Sequence, residues 1–300
     1  MSKIINSIDY DYINVKQNIR MLVEKYPALQ YGVIGRSCVG RDIPMLKIGR
    51  AREYALFAAA IHGSERITCS LLLRFTEELC EALENDTEFS GLNARRAFNG
   101  RGLIIVPLVN PDGCEIALHG PSGSGYLDGA VRSIGGTCFE KWNANARGVD
   151  IIHNFAAGWH ELKELELKNG ITGPAMTRFG GYSPESEPET IALTQLCRTA
   201  RIRHVLAFHS QGEVIYWSYR DKEPPKAKKM AQIMATSSGY ALDAPMGLAV
   251  GGGFKDWFIS EFNRPGFTVE IGKGKNPLPS DDLDIIYPQL KEMLILSAIM

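Results

Sequence analysis

His62 and Glu65, in His62-Gly63-Ser64-Glu65, offer an imidazole nitrogen and a carboxylate oxygen, two donor types that zinc accepts. They directly follow Tyr54–Ile61, YALFAAAI, an almost unbroken apolar run of the kind that forms a central strand buried on both faces. In an open α/β sheet, ligands gather outside the carboxyl ends of the strands. A catalytic zinc site uses three protein ligands, so another histidine at the end of another strand would complete the set. His209, which closes the apolar run Val205–Phe208, fits that place. A four-residue His-x-x-Glu is common by chance, so the weight rests on what accompanies it along the chain.

The elements that must position these residues read as alternating strands and helices. Residues 10–25 are expected to form an amphipathic helix ending at Tyr26-Pro27, since proline disfavours helix in the residue before it. Tyr31–Ile34 and Ile43–Ile48 flank a glycine-bearing turn and predict a hairpin. After the strand Tyr54–Ile61 comes a helix over Ser64–Glu84, then a buried strand Gly102–Val109 closed by the turn sequence Asn110-Pro111-Asp112-Gly113. A helix over Ser186–Ala200 is expected, capped by Ser186 with Glu189 three residues on. Strands follow at Val205–Phe208, Val214–Tyr219 and Gly266–Ile271, with a final helix over Ile286–Ile299. Gly120–Gly136 reads as a long surface loop. This alternation predicts one α/β domain with a mixed, largely parallel sheet, and no Pro/Gly/Ser linker divides it.

The chain has 300 residues, 45% of them hydrophobic, enough for one large core. Its 33 basic and 34 acidic residues leave a net charge of −1, which gives no general attraction to nucleic acid or to an anionic membrane. The first twenty residues alternate polar and apolar, without the apolar core of a signal peptide. No stretch approaches the roughly 18 apolar residues of a membrane span, so the expectation is a soluble, cytoplasmic protein. Six scattered cysteines form no C-x-x-C pair and are expected to be buried, reduced thiols.

The landmarks together resemble the zinc carboxypeptidase family. They run in order: Gly35-x-Ser37-x-x-Gly40-Arg41, His62-x-x-Glu65, Asn110-Pro111-Asp112-Gly113, Gly148-Val149-Asp150 with Asn154-Phe155, His209-Ser210, and Phe267-Thr268-Val269-Glu270. They span almost the whole chain. The resemblance implies a single zinc carboxypeptidase-like domain over residues 1–300, with its sheet flanked by helices. It implies one zinc per chain on His62, Glu65 and His209, and Asp150 orienting the imidazole of His62, as carboxylates usually do for ligating histidines. It implies Glu270 as general base of a metallopeptidase, with zinc polarising the scissile carbonyl and acidifying water.

Two departures bear on the substrate. Ordinary family members bind a C-terminal carboxylate with an Asn-Arg pair just before Asn-Phe; here those positions are Ile152 and His153, and histidine cannot reproduce a guanidinium fork. Trp159, His209-Ser210-Gln211-Gly212-Glu213 and Gly252-Gly253-Phe254-Lys255-Asp256-Trp257 are instead similar to a branch of bacterial γ-D-glutamyl-diaminopimelate peptidases. That implies a small peptidoglycan fragment as substrate, met by Asn143, His153 and Lys255. Lys255 reads equally as a cation in the primed-side pocket or as a solvated surface lysine. The branch usually has Trp-Lys-Ala-Asn where this chain has Trp142-Asn143-Ala144-Asn145. Asn143 brings a hydrogen bond but no charge, and losing an oxyanion donor can cost on the order of 10²–10³ in rate. Slow turnover or an unusual substrate is therefore expected, unless Lys141 or Arg147 reaches in.

Two other readings stay open at this level. A carboxypeptidase or an N-acyl amino acid deacylase would use the same zinc and glutamate. A non-catalytic muropeptide-binding protein could keep zinc for structure.

Overall fold

The computed structural model describes residues 3–6 and 10–300. Helix α1 (Tyr12–Lys25) starts where the Asp11 carboxylate accepts the Asn14 N–H at 2.7 Å. Strands β1 (Leu29–Arg36) and β2 (Asp42–Ile48) pair antiparallel, as the glycine-bearing turn predicts. Then come β3 (Tyr54–Ala58), α2 (Ile67–Asn85), a small hairpin of β4 (Glu88–Phe89) and β5 (Leu92–Asn93), and the short α3 (Ala94–Ala97). The middle of the chain holds β6 (Leu103–Val106), α4 (Pro111–His119), α5 (Asp128–Gly135), α6 (Trp159–Lys168) and α7 (Pro188–Thr199). The last third holds β7 (Ile202–Ser210), β8 (Val214–Tyr216), α8 (Lys226–Ser238), β9 (Ala241–Asp243), α9 (Phe254–Phe262), β10 (Gly266–Ile271) and α10 (Leu283–Ile299).

One eight-stranded sheet runs β1-β2-β6-β3-β7-β10-β8-β9. Its centre, β6-β3-β7-β10, is parallel, and antiparallel pairs flank it. Alternation along the central strands divides the core into two layers. Phe57, Ile105, Phe208 and Val269 face the side covered by α1, α2, α8 and α10. Leu56, Val106 and Ala207 face the side covered by α7 and α9. All carboxyl ends of the parallel strands open on one edge, which fixes where His62, His209 and Glu270 can meet.

Several elements differ from the sequence expectation, each for a local reason. β3 stops at Ala58 rather than Ile61, because Ala60 takes a left-handed conformation (φ 47°) that turns the chain out of the sheet. α2 begins at Ile67 rather than Ser64, so His62 and Glu65 lie on a turn before the helix. Thr68 pins that turn: its hydroxyl donates to the Glu65 carbonyl at 2.7 Å and accepts the Ala60 N–H at 2.8 Å. Asn110-Pro111-Asp112-Gly113 is the start of α4, not a free turn. Pro111 opens the helix, and the Asn110 side chain accepts the Gly113 N–H at 2.8 Å. Ser186 does not cap α7; its hydroxyl donates to Glu187, and the helix starts at Pro188. Gly120–Gly136 is a 3₁₀ segment (Gly120–Leu127) followed by α5, held down by buried Val131 against Ile116 and Trp142. Cys138 is exposed, while the other five cysteines are buried; all six are free. Among the described residues, no helix is long and apolar enough to cross a membrane.

Asn110 joins the site's supporting loops. Its amide donates to the carbonyls of Ile61, Asn143 and Ala144 at 3.0, 3.2 and 3.1 Å. Gly63 sits in the same junction, where a Cβ would lie 2.3 Å from the Gly113 carbonyl oxygen and 2.6 Å from that of Trp142. These are backbone atoms and cannot swing away. Gly63→Ala is therefore expected to destabilise the fold by about 1–3 kcal/mol or more, read as a lower urea midpoint at unchanged slope. An unchanged midpoint would show that the junction yields.

Candidate metal centre

The turn after β3 and the end of β7 bring three side chains to one point. His62 Nδ1 lies 2.9 Å from Glu65 Oε1, His209 Nδ1 lies 2.9 Å from Glu65 Oε2, and the two Nδ1 atoms are 3.3 Å apart. The rings meet at 63°, with centroids 4.7 Å apart. On its far side, His62 Nε2–H donates to Asp150 Oδ1 at 3.1 Å. A carboxylate only accepts, so the proton of a neutral His62 sits on Nε2 and the Nδ1 lone pair faces the cluster. Glu65 and His209 are almost fully buried. Two imidazole nitrogens and a carboxylate thus converge in a largely buried cluster, an arrangement that a divalent cation satisfies.

The electrostatics agree. Burial would lower the pKa of His62, but Glu65 and Asp150 more than offset it and raise it well above the usual value. Burial likewise opposes ionisation of Glu65, yet His62 and His209 bring it down to about 2. Asp150 is held far below the ordinary carboxylate range despite its burial, chiefly by His62, with the Arg178 N–H contributing. The cluster draws positive charge, and protons are only one way to supply it.

Glu270 stands on β10 beside His209, in direct register with it. It is partly buried and lines a cavity of about 540 Å³ that also takes in His62, His209 and Asn143. Burial, with the Glu65 charge adding, outweighs the two histidines and pushes its carboxyl up to about 7. Such a group is poised to exchange a proton near neutral pH.

The remaining residues singled out in the sequence also meet here. Asn143 lines the cavity; its Oδ1 accepts from Ser64 Oγ at 2.6 Å, which turns the amide NH₂ outward as a donor. Ile152 and His153 line the wall, with His153 Nδ1–H donating to Glu166 Oε1 at 2.9 Å. Lys255 is buried rather than solvated: its ammonium donates to the Ser218 carbonyl at 2.7 Å and to Asp256. Neither Lys141 nor Arg147 lines the cavity; Arg147 instead lies 3.6 Å from Glu187. Three residues without a sequence signal complete the site. Thr177 and the Arg178 N–H donate to Asp150, and Asn276 donates to Glu65 Oε1 at 3.2 Å. They sit on loops whose composition carries no period, so only the fold reveals them.

A second cluster, Cys38, Glu187 and Glu189, lies behind the site. The Asn145 amide NH₂ already occupies its centre, donating to all three, and burial keeps the Cys38 thiol protonated.

Comparison with known proteins places this geometry among relatives. The profile described as zinc carboxypeptidase matches residues 15–293. Gamma-D-glutamyl-L-diamino acid endopeptidase 1 of Lysinibacillus sphaericus is 37% identical over 284 residues, covering 94% of this chain and 70% of that protein. Murein peptide amidase A of Escherichia coli (strain K12) is 26% identical over 251 residues, 83% of this chain and 82% of that one. Among solved structures, bovine thrombin-activatable fibrinolysis inhibitor, in complex with tick carboxypeptidase inhibitor, superposes with a TM-score of 0.75. It shows 19% identity, with 97% of each chain covered. That likeness shows the fold, an α/β sheet of mixed, mostly parallel strands flanked by helices. The cofactor is zinc.

Asp150 holds the proton of His62 on Nε2. Asp150→Asn is expected to weaken zinc binding about 10–100-fold, measured by competition with a chelator of known affinity. Unchanged affinity would mean that the imidazole needs no such anchor.

Proposed function

The chain belongs to the zinc carboxypeptidase family, and we propose that it hydrolyses the γ-D-glutamyl–diamino acid bond of peptidoglycan stem peptides. In this reading His62, Glu65 and His209 hold one zinc, Asp150 orients His62, and Glu270 is the general base. The observation that carries it is the convergence of the two Nδ1 atoms and the Glu65 carboxylate beside Glu270, at the carboxyl edge of the sheet. The named substrate of the Lysinibacillus sphaericus relative and the murein peptide of the Escherichia coli one support the substrate class. Residues 1–300 act as one peptidase domain, a reading supported by the single large sheet that runs from β1 to β10. A cytoplasmic location is supported by six free cysteines, since thiols persist in a reducing compartment.

Bound there, zinc supplies Lewis acidity, polarising a carbonyl oxygen and making water a better nucleophile. The chain's own residues do the rest. Glu270 accepts the proton of the attacking water and returns it to the leaving amine. Asn143, with Oδ1 occupied by Ser64, points its NH₂ at the oxygen on which negative charge grows. His153, held by Glu166, and Lys255, neutralised by Asp256, shape the wall on which the substrate lies.

Zinc-loaded protein is expected to cleave L-Ala-γ-D-Glu-meso-diaminopimelate, and Glu270→Gln to lower kcat by about 10²–10⁴-fold. A carboxylate base works only when ionised, so kcat/KM rises with pH through the pKa of Glu270. That limb lies at or below the value of about 7 set by burial, because a nearby dication favours the charged form. The limb should vanish in Glu270→Gln; its persistence there would remove Glu270 from the role. At the oxyanion, Asn143→Leu is expected to cost on the order of 10²-fold in kcat, and Asn143→Lys to raise kcat by restoring charge. A lysine variant no faster than the parent would show that no cation is missing.

A further inference from the structure

The cavity beside Glu270 has an uneven distribution of charge. Asp150 is saturated: it accepts from His62, Thr177 and the N–H groups of Arg178 and Ile152. Lys255 is buried against Asp256 and the Ser218 carbonyl, so its charge is already balanced. Arg178 also lines the cavity. Among the described residues, its guanidinium is the cation of this cavity with no hydrogen-bond or ion-pair partner.

Its placement is fixed although its side chain is exposed. The Arg178 N–H donates to Asp150 Oδ2 at 2.7 Å, and the Asp150 N–H donates to the Phe179 carbonyl, also at 2.7 Å. The next residue is held from both sides: the Gly180 N–H donates to Glu166, and the Gly180 carbonyl accepts from Asn154 and Trp159. Arg178 itself sits in the left-handed region, φ 68°, where a β-carbon-bearing residue stays only when its surroundings hold it. The backbone that carries the guanidinium is thus tied, through Asp150 and His62, to the metal-binding cluster.

We propose that Arg178 binds a free carboxylate of the substrate next to the scissile bond. This rests on the γ-D-glutamyl reading above, which supplies two candidates: the α-carboxylate of the D-glutamyl residue and a carboxylate of the diamino acid. A planar guanidinium pairs a carboxylate through two parallel hydrogen bonds. An unpaired cation on a tethered backbone is available for that contact, and only its side chain remains to be ordered. Among the described residues, the cavity offers no other side-chain cation without a partner, and the histidine at the position of the family's arginine cannot provide the fork.

The test compares zinc-loaded parent, Arg178→Gln, Arg178→Lys and Arg178→Gly on three tripeptides: the free acid, the D-glutamyl α-amide and the diamino acid amide. Arg178→Gly suits the left-handed backbone and so controls for folding. The glutamine and glycine variants should raise KM for the free acid about 10–100-fold with kcat far less changed, and lysine should recover part of the loss. The amide that removes the contacted carboxylate should cost the parent the same factor and cost the variants nothing more, which identifies the carboxylate. Equal KM in all four proteins, or both amides keeping the full Arg178 dependence, would overturn the proposal. Binding of the free-acid tripeptide to zinc-loaded Glu270→Gln, with and without Arg178→Gln, reads the same contact without turnover. Arg178-dependent binding by a parent that does not cleave the peptide would sink the substrate reading and keep Arg178. Binding that is absent, or indifferent to Arg178, would sink Arg178 whether or not cleavage occurs.

Discussion

Three electron-rich groups, two imidazole lone pairs and a carboxylate, are brought together in a largely buried cluster, and most of the site exists to hold them there. Left alone such a cluster would spread or take up protons. Here each member is tied from behind. His62 is anchored by Asp150, Glu65 by the Asn276 amide, and His209 by its place inside the fully buried β7. Asp150 in turn is a buried carboxylate whose acceptor capacity is used by four donors. The cluster is therefore preorganised for a cation, and little reorganisation accompanies its binding.

That arrangement depends on loops rather than on regular elements, and the loops are rigid because buried amides and carboxylates replace a ladder. Asn110 satisfies three carbonyls from two segments while its oxygen starts α4. Asp112, fully buried in the first turn of α4, accepts from Ser37 Oγ, the Val39 N–H and Arg41. This explains Ser37 and Arg41 in the first landmark: they fasten the β1–β2 turn to the helix that carries Asn110. Asn154 does the same for the loop of residues 178–187, donating to Gly180, Ser183 and Ser186 and accepting the Glu187 N–H.

Much of this was legible before any coordinates. Tyr54–Ala58, Val205–Phe208 and Gly266–Ile271 are apolar throughout or nearly so, and runs of that kind have few other places to go than the middle of a sheet. His62, His209 and Glu270 sit at or just past their ends, so sheet geometry alone brings them to one edge. Helix α8 is legible too, since Ala227, Met230, Ala231 and Met234 repeat at helical spacing. Other features were not legible. Ala60 adopts a conformation its type disfavours, with its N–H held by Thr68 and its carbonyl by the Asn110 N–H. The short α5 contributes only one fully buried residue. Arg178, Thr177 and Asn276 act through what the fold lays beside them, and nothing in their local sequence says so.

The strand order β6-β3-β7-β10 also sets a schedule. A ribosome releases the His62–Glu65 turn early, but its partner His209 is made almost 150 residues later and Glu270 later still. The final helix, α10, closes over the same core layer as α1 and α2. No growing chain shorter than the β10 strand contains both the donor set and the proposed base. The donor set and the proposed base thus come from segments spread over more than 200 residues of the chain, and only the assembled sheet brings them together.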